Sequence, residues 1–158
     1  MVKTYEGFMD AKGMRFAIVS SRFNSFITDK LVEGAVDTLI RHNTSDNNID
    51  VVKVPGSYEI SFAVRKLLET KKYDAIIAVG AIIRGETPHY DYLSSEVTKR
   101  LVSLSLEYNI PVSSGIITTE NLEQAIERAG SKAGNRGSEA ALSAIEMANL
   151  VKTLSRKK

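Results

Sequence analysis

The sequence of 158 residues contains no cysteine, which excludes disulfide bonds, thiolate metal sites and thiol nucleophiles. Its two histidines, His42 and His89, are too few and too far apart to indicate a zinc site. No stretch is apolar enough to span a bilayer, and the first residues lack the apolar run of a signal peptide. The net charge of +2 is too small to indicate a nucleic-acid or membrane partner. We therefore expect a cytoplasmic protein without a metal site.

Short apolar runs alternate with longer segments of helical periodicity. Four of the runs are continuous and end in polar residues or proline, as buried parallel strands do. These predicted strands are Arg15–Ser20, Ile49–Val54, Ala75–Val79 with an extension to Ile83, and Val112–Ile117. Strand and helix alternate four times, which predicts one three-layer α/β/α domain over residues 1–158 with a four-stranded parallel sheet.

The helical segments have recognisable starts. Thr28 is the expected N-cap of the first helix, and the last two helices are predicted at Glu120–Ala129 and Ser138–Leu154. Residues 1–8 are expected to form an extended arm that adds a strand to this sheet or to a neighbour's sheet.

Ligands of open parallel sheets bind beyond the carboxyl ends of the strands. Four segments fall at that edge and contain most of the unusual residues of the chain. They are Ser21–Asn24, Pro55–Glu59, Gly80–Tyr90 and Ile117–Thr119. This edge is therefore the expected ligand site.

Spacing alone leaves two interpretations open for each candidate residue at this edge. Phe23 stacks on a planar ligand ring or packs beneath the next helix. Glu59 accepts hydrogen bonds from substrate hydroxyls or complements a helix dipole. Arg84–His89 is an anion-binding helix start or an ordinary loop. His89 transfers protons near neutral pH or has a structural role. The basic residues further along belong to a solvated turn or to a neighbouring subunit's site: Arg128, Lys132 and Arg136.

The same segments, in the same order, resemble the lumazine synthase family from about Phe16 to Leu154. The most specific pieces are Ser21–Asn24, Val54–Glu59, Ile83–Tyr92 and Glu123–Asn135. The resemblance implies a flavodoxin-like fold and a cofactor-free condensation in riboflavin biosynthesis. The substrates would be 5-amino-6-(D-ribitylamino)uracil and 3,4-dihydroxy-2-butanone 4-phosphate, with loss of phosphate and water.

The resemblance also implies a role for each site residue. Phe23 would stack on the pyrimidine ring, and His89 would move protons. The remaining contacts to ribitylaminouracil would come from Asn24, Ser57, Tyr58, Glu59, Ala81, Ile82, Ile83 and Ser114. The phosphate would be held by Gly85, Glu86 and Thr87, with Arg128 from an adjacent subunit and with Lys132 and Arg136 as further candidates.

Two departures from the family pattern motivate one alternative. Ser114 stands where the family usually has phenylalanine, and Glu86 stands where a small residue is common. They are consistent with a lumazine- or flavin-binding shell protein with reduced or no catalysis. A second alternative is a related archaeal-type riboflavin synthase, since some archaeal riboflavin synthases resemble this family. The family forms pentamers or shells of twelve pentamers. The short turn Gly130–Asn135 favours the 60-subunit shell, with riboflavin synthase as a candidate associated protein.

Overall fold

A sheet of four parallel strands positions every other element of the protein. The computed structural model describes residues 1–85, 89–130 and 134–156. The strands are β1 (Phe16–Ser21), β2 (Ile49–Val54), β3 (Ala75–Ile83) and β4 (Val112–Thr119). Their spatial order is β2-β1-β3-β4, and every neighbouring pair is parallel. The predicted α/β fold with a four-stranded parallel sheet is confirmed.

Helices follow the strands along the chain. They are α1 (Ser25–Arg41), α2 (Ile60–Glu69), α3 (His89–Tyr108), α4 (Leu122–Arg128) and α5 (Arg136–Ser155). A short 3-10 turn, Ser57–Glu59, precedes α2. None of the described helices combines the length and the apolar character that crossing a membrane requires.

The two faces of the sheet are covered by different helices. Alternate residues of β1 point to opposite faces, so Ile18 joins one buried cluster with α1, α4 and α5, while Val19 joins another with α2 and α3. This arrangement gives the expected three layers. Because both faces are covered, the central strands β1 and β3 are apolar over nearly their whole length.

The first helix begins earlier than the sequence indicated. Thr28 is not the N-cap, because its backbone N–H already donates to the carbonyl oxygen of Asn24 at 3.0 Å, inside the helix. Its hydroxyl donates to the carbonyl oxygen of Ser21 at 2.8 Å. The threonine thus fastens the first turn of α1 to the end of β1. The chain enters this helix through Asn24, which has a left-handed backbone with φ 63°.

The last two helices begin at asparagine caps. The side chain of Asn121 accepts the backbone N–H of Gln124 at 2.8 Å, and that of Asn135 accepts Ser138 at 3.1 Å. Helix α4 therefore starts two residues later than predicted, and α5 two residues earlier. The start of α5 touches α1 at the backbone, because a β-carbon on Gly137 would overlap the carbonyl oxygen of Leu31.

The amino-terminal arm forms no strand in the sheet of its own chain. The side-chain amide of Asn149 donates to the carbonyl oxygens of Phe8 and Asp10 at 2.7 and 2.9 Å, which holds the end of the arm beside α5. The alternative in which residues 1–8 extend their own sheet is therefore wrong. A strand added to a neighbour's sheet stays a prediction.

Candidate active site

The carboxyl ends of the four strands meet at one edge of the sheet. Ser21 pairs with Val54, and Ile83 pairs with Thr119, so the segments that follow these residues leave the sheet together. This places the four segments singled out in the sequence at a common edge, as expected for an open parallel sheet.

Backbone hydrogen bonds connect the segments that follow β1 and β2. The N–H of Arg22 donates to the carbonyl oxygen of Val54 at 2.7 Å, and the N–H of Phe23 donates to that of Pro55 at 3.0 Å. The side-chain amide of Asn24 then reaches β3 and donates to the carbonyl oxygen of Ala81 at 3.3 Å. Three strand ends are thereby held in fixed relation around Phe23.

Two aromatic side chains at this edge are exposed. Phe23 is 71% exposed, so it does not pack beneath α1, and a planar ring can lie against it. Tyr58 is 81% exposed and lines a depression of about 330 Å³ with Tyr92, Leu93 and Glu96. The edge therefore presents apolar ring surface in a region where a soluble monomer normally presents polar groups.

Beneath these aromatic residues lies a tight group of small polar side chains. Ser57 and Ser21 are both buried, and Gly80 lies between them. A β-carbon on Gly80 would lie 3.1 Å from the Ser57 hydroxyl and 3.2 Å from the Ser21 hydroxyl. The buried Ser21 hydroxyl has no hydrogen-bond partner among the described residues. Glycine fits here without strain, whereas a β-carbon on β3 would force both serines to shift by a few tenths of an ångström.

Glu59 has a local structural partner. One of its carboxylate oxygens accepts the backbone N–H of Gly56 at 3.1 Å, which closes the 3-10 turn before α2. The carboxylate is half-buried and has a second oxygen, so the structural and the substrate-binding interpretations are compatible.

The three β3 residues that were expected to contact the edge of the pyrimidine ring lie at the end of the strand. Ala81 and Ile82 are buried, and Ile83 is half-buried.

The end of β3 also contains a residue to which sequence analysis gave no role. The Arg84 side chain contacts Asp91 in the first turn of α3 and Glu120 after β4. Glu120 is distant from Arg84 in sequence, so no local pattern could identify the whole group. Gly85 follows Arg84 and is exposed, and among the described residues no atom beyond its chain neighbours lies within 4 Å of its β-carbon position.

Several predicted site residues lie outside what the structure describes. Glu86, Thr87 and Lys132 are among them, and so is the side chain of His89, although the backbone of His89 begins α3. Their predicted roles stay predictions.

Three other predicted site residues lie away from the edge in their own chain. Ser114 pairs with Ala78, five residues before Thr119, which puts it about 16 Å from the carboxyl end of β4. It lines a depression of about 350 Å³ beside β4 together with Arg136, which is paired with Glu139 at 3.4 Å. Arg128 is half-buried at the far end of α4, about 9 Å along the helix from Leu122. These residues and Phe23 belong to different parts of the molecule.

Asp50 and Tyr73, two residues whose pKa values are shifted, lie at the opposite, amino edge of the sheet. The Tyr73 hydroxyl donates to Asp50 at 2.5 Å, and Lys72 lies 3.2 Å from the same oxygen. These two donors lower the pKa of Asp50. Burial, followed by the hydrogen bond to Asp50, raises the pKa of Tyr73 to about 12. This group joins the start of β2 to the residues before β3, so its role is structural. Within the described ranges, no three acidic, histidine or cysteine side chains lie together as a potential metal site.

Proteins of one known family match this chain over nearly its whole length. The model of the 6,7-dimethyl-8-ribityllumazine synthase family matches residues 13–152. A protein of Clostridium kluyveri, named 6,7-dimethyl-8-ribityllumazine synthase, is 53% identical over 153 residues, or 97% of this chain and 99% of that protein. A de novo designed Rossmann-fold protein is 13% identical and overlaps 72% of this chain and 92% of its own, with a TM-score of 0.41.

Proposed function

The chain belongs to the 6,7-dimethyl-8-ribityllumazine synthase family and is an enzyme of that type in riboflavin biosynthesis, and we propose that the reaction takes place at the carboxyl edge of its sheet. There it condenses 5-amino-6-(D-ribitylamino)uracil with 3,4-dihydroxy-2-butanone 4-phosphate. The observation that best supports this location is the set of hydrogen bonds that holds the exposed Phe23 between the ends of β1, β2 and β3.

The pyrimidine substrate binds on the β1–β2–β3 side of the edge. Phe23 stacks on its ring, with Asn24 fixing the loop from which the ring projects. The end of β3, from Ala81 to Ile83, meets the ring edge through its backbone. The ribityl chain, which is rich in hydroxyls, lies along Ser57–Glu59, where a hydroxyl, a phenol and a carboxylate follow one another.

The phosphate substrate binds between the end of β3 and the start of α3. Gly85, Glu86 and Thr87 precede this helix of 20 residues, whose N-terminus favours an anion. His89 begins the helix and moves protons while the 5-amino group attacks the ketone carbon. Water leaves as the imine forms, and phosphate leaves afterwards with its bonding electron pair. The ribitylamino nitrogen then attacks the remaining carbonyl carbon, and the second ring closes with loss of a second water.

Most of the acceleration comes from positioning. The amine is already nucleophilic and the phosphate is already a good leaving group, so holding the two substrates in register removes much of the barrier. Proton transfer by His89 adds about 10²–10⁴-fold, which is typical of a positioned acid or base.

The active site is completed by a second copy of the chain. In their own chain Arg128, Ser114 and Arg136 lie on elements away from the Phe23 loop, and we propose that a neighbour presents them to the substrates. Exposed apolar residues on the outer side of α2 and α3 support such an interface, among them Phe62 and Leu106. We propose a homopentamer and, because the Gly130–Asn135 turn is short, a 60-subunit shell that can associate with riboflavin synthase.

The amino-terminal arm supplies a further contact between copies. Its exposed apolar residues include Val2 and Tyr5. The β2 edge of the sheet, where Val51 is exposed, is the favoured place for a neighbour's arm. The expected cytoplasmic location stays a prediction.

Incubation of the purified protein with both substrates tests the catalytic proposal. We expect the lumazine chromophore to appear faster than in the uncatalysed mixture, and size measurement coupled to light scattering to give a multiple of five chains. Product at the background rate from assembled, ligand-binding protein would favour the non-catalytic shell protein. Riboflavin formed from the lumazine alone would favour the archaeal-type riboflavin synthase.

A further inference from the structure

Arg84 joins three elements at the carboxyl edge of the sheet. Its backbone N–H donates to the carbonyl oxygen of Thr119 at 2.8 Å. Its Nε lies 2.9 Å from a carboxylate oxygen of Glu120, and one terminal nitrogen lies 3.3 Å from Asp91. The guanidinium carbon is 4.7 Å from the centre of the Tyr90 ring. These contacts connect the end of β3 with the end of β4 and with the first turn of α3.

The chemistry of this group requires arginine. A guanidinium is planar, carries five donors in fixed directions and stacks on aromatic rings, so it can meet two carboxylates and a ring at once. The ammonium group of lysine is a compact point charge and cannot reproduce that geometry. The side chains of Arg84, Asp91 and Glu120 are 46%, 68% and 59% exposed. Ion pairs as exposed as these add little to global stability, so we expect the loss of Arg84 to leave the melting temperature nearly unchanged.

We infer that Arg84 is a positioning residue for the condensation. It holds the backbone of His89, at the start of α3, in a fixed relation to Gly85, at the end of β3. This inference rests on the proposed function, which assigns phosphate binding to residues 85–87 and proton transfer to His89. The residue acts through its neighbours and need not touch either substrate.

Arg84 also affects the charge at this part of the edge. Asp91 and Glu120 are two carboxylates close to the proposed binding site of a phosphate dianion, and they would repel it if they were unpaired. Paired with Arg84, they repel it less. Both consequences of losing Arg84 fall mainly on the phosphate substrate, because the loop that carries Phe23 is held by separate hydrogen bonds from Arg22, Phe23 and Asn24.

The test compares Arg84→Ala and Arg84→Lys with a matched control, Arg41→Ala. Arg41 is an exposed arginine paired with Asp37 at 2.8 Å at the far end of α1. Steady-state kinetics are measured with each substrate varied, together with competition by inorganic phosphate and the melting temperature. For Arg84→Ala we expect kcat/KM for the butanone phosphate to fall by about 10- to 100-fold, the range of a small misplacement. Inhibition by inorganic phosphate should weaken, while the KM for ribitylaminouracil and the melting temperature stay close to those of the parent.

Arg84→Lys distinguishes geometry from charge. It keeps the positive charge but loses the simultaneous contact with both carboxylates. We therefore expect its kcat/KM for the butanone phosphate to be nearer to that of Arg84→Ala than to that of the parent. Full recovery in Arg84→Lys would overturn the inference, as would an unchanged KM for the butanone phosphate in Arg84→Ala. An equal loss for both substrates with a lowered melting temperature would reduce Arg84 to a structural residue. If the proposed function is wrong, the result differs from all of these outcomes, because the parent protein itself then forms no lumazine.

Discussion

Asn24 and Ala81 are joined across the edge of the sheet, where the side-chain amide of Asn24 donates to the carbonyl oxygen of Ala81 at 3.3 Å. Asn24 also has a left-handed backbone, with φ 63°, which glycine tolerates and alanine does not. A single residue therefore turns the chain from β1 into α1 and ties that turn to β3.

Asn24→Ala and Asn24→Gly separate these two roles. Both variants lose the hydrogen bond, worth about 1 kcal/mol, and alanine adds about 1 kcal/mol or more of backbone strain. We expect urea unfolding to show a larger loss of unfolding free energy for alanine, and kinetics to show a raised KM for ribitylaminouracil in both. Equal unfolding free energies would mean that the left-handed backbone costs nothing here.

Gly80→Ala should disturb the pyrimidine side of the site. Its β-carbon would lie 3.1 Å from Ile60 and from the Ser57 hydroxyl, and overpacking of this kind costs about 1–3 kcal/mol. Because Ser57 must move, we expect the KM for ribitylaminouracil to rise with little change in the KM for the butanone phosphate. Gly85→Ala, at a position where no described atom beyond the chain neighbours lies within 4 Å of the β-carbon, is the control for stability alone. Similar melting temperatures for the two variants would show that the serines adapt freely.

Arg128→Ala should weaken binding of the phosphate substrate by about 1.5–3 kcal/mol, typical of a hydrogen bond to a charged group. The measurement is the KM for the butanone phosphate, and an unchanged value would remove Arg128 from the site. A mixture of Arg128→Ala with Phe23→Ala chains tests the shared site directly. Mixed pentamers contain some interfaces with an intact Phe23 from one chain and an intact Arg128 from the next. If verified mixed pentamers regain no activity, the residues do not act together across subunits.

Tyr73→Phe should make stability less dependent on pH at both extremes. The hydrogen bond to Asp50 contributes about 1 kcal/mol near neutral pH. Because the pKa of Asp50 is lowered from its usual 3.8, this contribution is complete above that value and is lost as the pH falls through the lowered pKa. Because the pKa of Tyr73 is raised from 10.0 to about 12, the contribution is also lost as the pH rises between those values.

Unfolding free energies of the parent and Tyr73→Phe, measured from acid to alkaline pH, check this expectation. The difference between the two proteins should be largest on the neutral plateau and should shrink at both ends. A constant difference at all pH values would attribute the effect of the hydroxyl to packing.

The fold was largely predictable because buried parallel strands leave continuous apolar runs in the sequence. Residues 49–54 were assigned with correct bounds, and β1 and β4 differed only at their ends. The start of α1 was not predictable, since Thr28 is a good cap residue whose hydroxyl instead bonds the end of β1. The preference for threonine at helix starts drew attention to Thr28, but it could not show which backbone group the Thr28 hydroxyl would bond.

The candidate site was predictable only in part, for a physical reason. The residues expected at the edge from β1, β2 and β3 do lie there, because parallel strands place all their carboxyl ends together. The group around Arg84 was missed, since Glu120 reaches it only through the pairing of β3 with β4. The separation of Ser114 from Phe23 likewise depends on strand register, which an apolar run does not reveal.

The contact between Gly137 and the Leu31 backbone has a consequence for symmetry. It locks α5 against α1, so the surface that offers Phe23 and the surface that offers Arg136 cannot turn relative to each other. Each copy would present one of these surfaces to the next copy. The fixed angle between the two surfaces would then determine the rotation from one subunit to the next. That rotation decides whether a head-to-tail ring closes and after how many members. In the proposed pentamer, a side chain at position 137 would therefore be expected to alter the number of subunits in the ring.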